Sequence, residues 1–216
     1  MKTKSKILNR FTKMKVTSLA ALAATPALAG DNDNDGDDFA FPLIRSAGLA
    51  AFPTVAPNAE GRVKIESVGS VEIMDVKVWG LPSNTDFDLF VIQVPKAPFG
   101  LSWYLGDIAT NRDGVGHGRF IGRFNIETFI VGPGVAPAPI VFTNSIPDSS
   151  PNPQTGPIHT YHLGLWFDSP ADAQKAGGPG AVTPFNGQHN AGIQVLNTSD
   201  FPDLAGPLIK ITTSGN

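Results

Sequence analysis

Residues 71–94 read VEIMDVKVWGLPSNTDFDLFVIQV, and two different patterns meet in them. From Val71 to Trp79 the chain alternates. Met74, Val76 and Val78 fall on one face while Asp75 and Lys77 fall on the other, as in a strand with one buried side and one wet side. Gly80-Leu81-Pro82-Ser83-Asn84 interrupts it, because proline cannot donate to a ladder and glycine permits positive φ. The strand resumes from Asp86 to Val94, with Phe87, Leu89 and Val91 on one face and Phe90, Ile92 and Val94 on the other, so that both faces are apolar from Leu89 to Ile92. Such a strand belongs inside a sheet covered on both sides. The pair predicts an all-β fold.

The rest of the chain extends that reading. Its 23 Gly and 19 Pro punctuate short β-branched and aromatic runs, and helical periodicity is scarce. Strands are expected over Arg62–Ser67, Leu101–Thr110, Arg119–Val131, His159–Phe167 and Ile193–Leu196, with a last apolar run at Pro207–Thr212. Asp113-Gly114 marks a hairpin inside the polar turn Asn111–Gly118. Phe39–Ala59 is apolar but broken by Pro42, Pro53 and Pro57, which predicts an edge segment packed onto the domain. Gly132–Gly156 is a proline-rich loop around one short run, Ile140–Thr143. A single short helix is expected near 170–176, with Ser169 as N-cap, Pro170 at its first position, Asp172 in the first turn and Gly177 after it. The expected fold class is a single antiparallel β-sandwich, Ig-like or jelly-roll-like, over residues 61–216, preceded by an acidic and proline-rich segment over 30–60.

Residues 1–29 predict export. Six Lys and Arg crowd the first fifteen positions, a small apolar run follows, and Ala27-Leu28-Ala29 gives the small-x-small pattern of a signal peptidase site. The expectation is a signal peptide and a secreted, extracellular or periplasmic protein without a membrane span. Six of the sixteen Lys and Arg and none of the nineteen Asp and Glu precede residue 30. That leaves ten positive against nineteen negative charges, a net of −9 for residues 30–216. Attraction to nucleic acid or an anionic membrane is therefore not expected. Cysteine is absent, so the exported part must be held by its core or by bound ions.

Candidate chemistry is sparse. Asp31, Asp33 and Asp35, with Gly36, resemble the start of a calcium loop, but Pro42 stands where an EF-hand needs its bidentate Glu. An EF-hand is excluded, and the alternatives are a solvated acidic leader or a calcium site without that frame. His117, His159, His162 and His189 are the four histidines and would bind a transition metal only if several segments converge. No Cys and no Gly-x-Ser-x-Gly elbow is present, and Ser102, Asp107 and His117 make a triad only if folding joins them. Asp86 and Asp88 share a strand face, as a hydrolytic carboxylate pair requires, yet hydrogen bonding to turn amides explains them as well. No residue is assigned a catalytic role. Among the large aromatics Trp79, Trp103, Tyr104, Tyr161 and Trp166, the last lies opposite the Leu163–Leu165–Phe167 face and is expected to be exposed beside His162.

The run Val76-Lys77-Val78-Trp79-Gly80-Leu81-Pro82-Ser83-Asn84-Thr85-Asp86-Phe87-Asp88-Leu89-Phe90, followed by Gly106-Asp107-Ile108-Ala109-Thr110-Asn111-Arg112-Asp113-Gly114-Val115-Gly116, resembles exported bacterial Ig-like and CHRD-like β-sandwich domains. The likeness lies in turn chemistry, so it implies a fold and a compartment and carries over no site residue. The functional expectation is a non-catalytic binding or cell-surface module for a glycan, cell-wall or protein ligand. Its candidate surface is Trp166, His162 and His117. The alternatives are a metal-dependent or dismutase-like enzyme using the four histidines, and a structural component of an extracellular layer.

Overall fold

The computed structural model describes residues 38–130, 155–183 and 190–211, all within one compact unit spanning residues 35–216. The signal segment, Asp31, Asp33, Asp35, Ile140–Thr143 and His189 lie outside the described residues. Among the described residues there are ten strands: β1 (Phe39–Arg45), β2 (Glu60–Val68), β3 (Val71–Trp79), β4 (Asp86–Ile92), β5 (Ser102–Ala109), β6 (Gly116–Gly122), β7 (Ile126–Ile130), β8 (Thr155–His159), β9 (His162–Phe167) and β10 (Gln194–Asn197). One short helix, α1 (Pro170–Lys175), accompanies them. Every strand pairing is antiparallel.

Eight strands form one sheet in the order β5-β4-β9-β10-β1-β2-β3-β6, and β7 and β8 form a separate ribbon. The outermost strands β5 and β6 are consecutive in the chain and meet through a Thr110–Gly116 bridge. The sheet thus curls back on itself, nearly as a barrel. The two halves of the sheet are joined through β1, whose residues 39–43 pair with β2 while Ile44 and Arg45 pair with β10. This corrects the expectation of an edge segment: β1 is interior. Pro42 falls in the half of β1 that has a ladder partner on one side only, which is where a strand tolerates the missing donor.

The alternation in residues 71–94 places its side chains as expected. Met74, Val76 and Val78 of β3 are buried, together with Val63 and Ile65 of β2. Phe87, Leu89 and Val91 of β4 join Leu163, Leu165 and Phe167 of β9 in the same core, with the Phe87 and Phe167 rings 4.9 Å apart. Each such side chain contributes about 1.5–3 kcal/mol on burial. The other face of β4 is covered as well. Phe90, Ile92 and Trp166 form a second apolar cluster under Phe99 and Ala191.

Two predicted strands are each divided. Arg119–Val131 breaks between Gly122 and Ile126, and His159–Phe167 breaks at Thr160 and Tyr161. The physical reason is a local cross-link: the Thr160 hydroxyl donates to the Phe124 carbonyl at 2.7 Å and the Thr160 N–H donates to the Asn125 carbonyl at 3.1 Å. These bonds turn both chains out of the main sheet and into the β7–β8 ribbon. The segment Pro207–Lys210 is a 3-10 turn rather than a strand. Helix α1 forms as its sequence dictates, the Ser169 side chain accepting the Asp172 N–H at 3.2 Å. After β1, the Arg45 guanidinium donates to the carbonyls of Leu49, Phe52, Val55 and Ala56, which organises the proline-broken segment beyond a single 3-10 turn at Ala47–Leu49.

Candidate functional site

The seam between β5 and β6 is built by two turns that dock on each other. In the first, residues 80–85 leave β3; in the second, residues 110–116 join β5 to β6. The Thr110 hydroxyl donates to the Pro82 carbonyl at 2.6 Å and accepts the Thr85 N–H at 3.0 Å. Asn111 Oδ1 accepts the N–H groups of Asp113 and Val115 and closes the hairpin from within. Gly114 sits at φ +71°, and a Cβ there would lie 2.1 Å from the Leu81 carbonyl oxygen. Only glycine permits that approach.

Beyond this junction β5 and β6 diverge, and an open groove of about 510 Å³ lies between them. Its walls include Trp103, Tyr104, Arg119, Phe120, Ile121 and Arg123. Trp103, Tyr104 and Ile121 are 46%, 41% and 69% exposed, in a chain whose other large aromatics are mostly buried. A β-bulge sets the two rings: Gly106 opposes Leu89 and Tyr104 opposes Phe90, so Leu105 has no counterpart. Trp103 then stands opposite Val91 on one face of the strand and Tyr104 opposite Phe90 on the other, straddling the β5 margin.

Tyr104 links the groove to a group of carboxylates. Asp88 and Asp107 are cross-strand partners, and Asp168 follows β9, its N–H donating to the Asp86 carbonyl at 3.1 Å. Oxygens of Asp88, Asp107 and Asp168 lie within 4.8 Å of one another, with Asp88 buried, Asp168 half-buried and Asp107 exposed. The Tyr104 hydroxyl donates to Asp107 Oδ1 at 2.5 Å. Burial first, then that hydrogen bond and the charges of Asp107, Asp88 and Asp168, hold the phenol well above the usual tyrosine range. Among the described residues these three aspartates are the group whose donor set could hold an ion, and hard oxygen ligands of this kind suit calcium or magnesium.

The histidines do not converge there. His117 is exposed on β6 with Nε2 3.6 Å from Asp75 Oδ1, and His159 is half-buried with its ring stacked on Tyr161 at 6.0 Å. His162 is fully buried. Its Nε2 faces the carbonyls of Pro202 and Asp203 at 3.1 and 2.9 Å, so this nitrogen carries the proton and donates. Its Nδ1, 2.8 Å from Thr198 Oγ1, then accepts the hydroxyl proton, while that oxygen accepts the Leu163 N–H. Both ring nitrogens are engaged, and burial pushes the imidazole below its ordinary value. His162 is a clamp on the segment after β10.

The expected exposure of Trp166 is corrected. Its ring lies opposite the Leu163–Leu165–Phe167 face, as read, but that side is roofed. Phe90 and Phe99 meet the indole edge-on at 5.3 and 5.1 Å, and the residue is wholly buried. The roof comes from residues 93–101 and 191, distant in sequence, and carries no periodic signal. Asp86 and Asp88 do not act as a pair either: Asp88 turns to Asp107 and Asp168. Nor does Ser102–Asp107–His117 assemble, since Asp107 pairs with Tyr104 and His117 with Asp75. What the sequence contained but did not single out is Trp103-Tyr104, two adjacent large aromatics in a strand. The described residues contain no helix long and apolar enough to cross a membrane. No protein-family model matches the chain, and no curated protein matches it in sequence.

Proposed function

We propose that this chain is an exported, non-catalytic module that binds a glycan along the groove between β5 and β6. The observation that carries the reading is the exposure of Trp103 and Tyr104 at the groove margin, one on each face of β5. Buried aromatics serve a core; two adjacent rings held open to water beside Arg119 and Arg123 offer flat apolar faces with polar neighbours, the combination that holds a sugar ring. Trp103 and Tyr104 replace Trp166 and His162 as the candidate surface. The signal-like segment 1–29 and the likeness of residues 76–116 to exported Ig-like and CHRD-like domains support the compartment. In this reading the curled sheet is a flattened sandwich of that general kind, its two halves meeting at β1.

Glycan arrays and cell-wall pull-downs test the proposal. The protein is expected to retain a subset of glycans, and Trp103→Ala is expected to lose about tenfold in affinity, of the order of one stacked ring. Stability of that variant should stay within about 0.5 kcal/mol, because the ring is half exposed. Absence of any retention, or a Trp103→Ala variant that binds as the parent does, overturns it.

A further inference from the structure

The outer face of β2, β3 and β6 breaks a rule of sheet design. Arg62, Lys77 and His117 are direct cross-strand neighbours in consecutive strands, and all three side chains are exposed. Like charges set opposite one another destabilise a sheet. The next row is balanced: Lys64, Asp75 and Arg119 are in register, with Asp75 3.6 Å from Arg119 and Asp38 3.2 Å from Lys64. Asp75 is also the carboxylate nearest His117. Glu60 and Glu66 stand at either end of the same face of β2, but among the described residues neither Arg62 nor Lys77 has an acidic partner.

We infer that this face binds an extended acidic polysaccharide, its carboxylates lying along the Arg62–Lys77–His117 row. Four of the ten basic side chains of residues 30–216, Arg62, Lys64, Lys77 and Arg119, share this surface with Asp38, Asp75, Glu60 and Glu66, and the charge left without an ion pair among the described residues is that of Arg62 and Lys77. Arg62 and Lys77, with the His117 imidazole next in line, recur at the strand spacing of about 4.8 Å on an open sheet face. A compact anion needs donors converging from several sides; a row presents charges in line, as a polymer with one carboxylate per sugar does. A densely charged nucleic acid is disfavoured by the net −9 of residues 30–216. Trp79, half-buried and two residues from Lys77 on the same face of β3, adds an aromatic surface beside the middle of the row, opposite Glu60 of β2. The Arg62–Lys77–His117 row lies outside the groove, whose wall takes in Arg119 of this face, and the inference does not depend on the groove.

Affinity electrophoresis of the purified protein in gels containing polygalacturonate, with dextran gels as the neutral control, tests it. Retardation is expected in polygalacturonate alone and should weaken with salt. An Arg62→Ser/Lys77→Ser double variant is expected to lose about tenfold in affinity, to keep its circular dichroism spectrum, and to melt no lower than the parent because the repulsion is relieved. Trp103→Ala should be retarded as the parent is, which separates this face from the groove. No retardation of the parent, a double variant retarded equally, or binding of duplex DNA or phosphatidylglycerol vesicles in place of polygalacturonate overturns the inference.

Discussion

Gly164 and Trp166 share one volume in the structure: a Cβ on Gly164 would lie 2.3 and 2.6 Å from two carbons of the indole and 2.8 Å from Gln194 Nε2. The ring lies back across the bare backbone of its own strand, and that is how so large a side chain is accommodated under Phe90 and Phe99. Gly164→Ala is therefore expected to destabilise the fold by about 1–3 kcal/mol through overpacking. Urea unfolding checks it; a change under about 0.5 kcal/mol would show that the ring can move aside.

Thr110 joins two turns through one oxygen. Thr110→Val keeps the shape but leaves the Pro82 carbonyl and the Thr85 N–H without that partner, in a residue only 6% exposed. The expected loss is about 1–3 kcal/mol. Thermal unfolding of the variant measures it, and a retained melting temperature would mean water replaces the hydroxyl.

His162 makes stability depend on pH. Burial lowers its folded-state value below the ordinary imidazole value of about 6.5. Between the two values the unfolded chain binds more protons, so stability is full above the ordinary value and falls as pH drops through it toward the folded one. Unfolding midpoints measured between about pH 7 and 5 should decline. The same series on His162→Gln should start lower and lose that slope. Equal slopes would assign the decline to another group.

Asp107 raises the Tyr104 phenol after burial has already done so. Asp107→Asn removes a full charge and replaces a charged acceptor, so Tyr104 should ionise at lower pH while staying above an ordinary tyrosine. Ultraviolet titration of the phenolate follows this, with Tyr161→Phe used to remove the other tyrosine signal. An unchanged Tyr104 transition would contradict the 2.5 Å contact.

Where pattern and packing answer to the same few residues, the fold was legible. Met74, Val76 and Val78 alternate because β3 has one wet side, and Phe87–Ile92 does not alternate because β4 is covered twice. Ser169, Pro170 and Gly177 set α1 through contacts within one turn. The candidate site was less legible, because its parts come from distant segments. Asp88, Asp107 and Asp168 span eighty positions, and the exposure of Trp103 follows from a bulge opposite Leu89 and Phe90 that no local pattern announces. Trp166 and His162 were misjudged for the same reason: what covers them arrives from residues 93–101 and 198–203. The Arg62–Lys77–His117 row was visible as three separate alternations, and only the register of β2, β3 and β6 made it a row.

Among the described residues, β5 and β6 keep two bare margins where a closed cylinder would have none. Unzipped peptide groups of that kind seed fibrils when a second chain adds its own strand. The unmatched Leu105 kinks one margin, and Arg119 and Arg123 place charge on the other, which are the ordinary defences of an exposed strand. Replacing Arg119 with valine should thus shorten the shelf life of concentrated solutions, with thioflavin fluorescence rising on storage, before any change in melting temperature is seen.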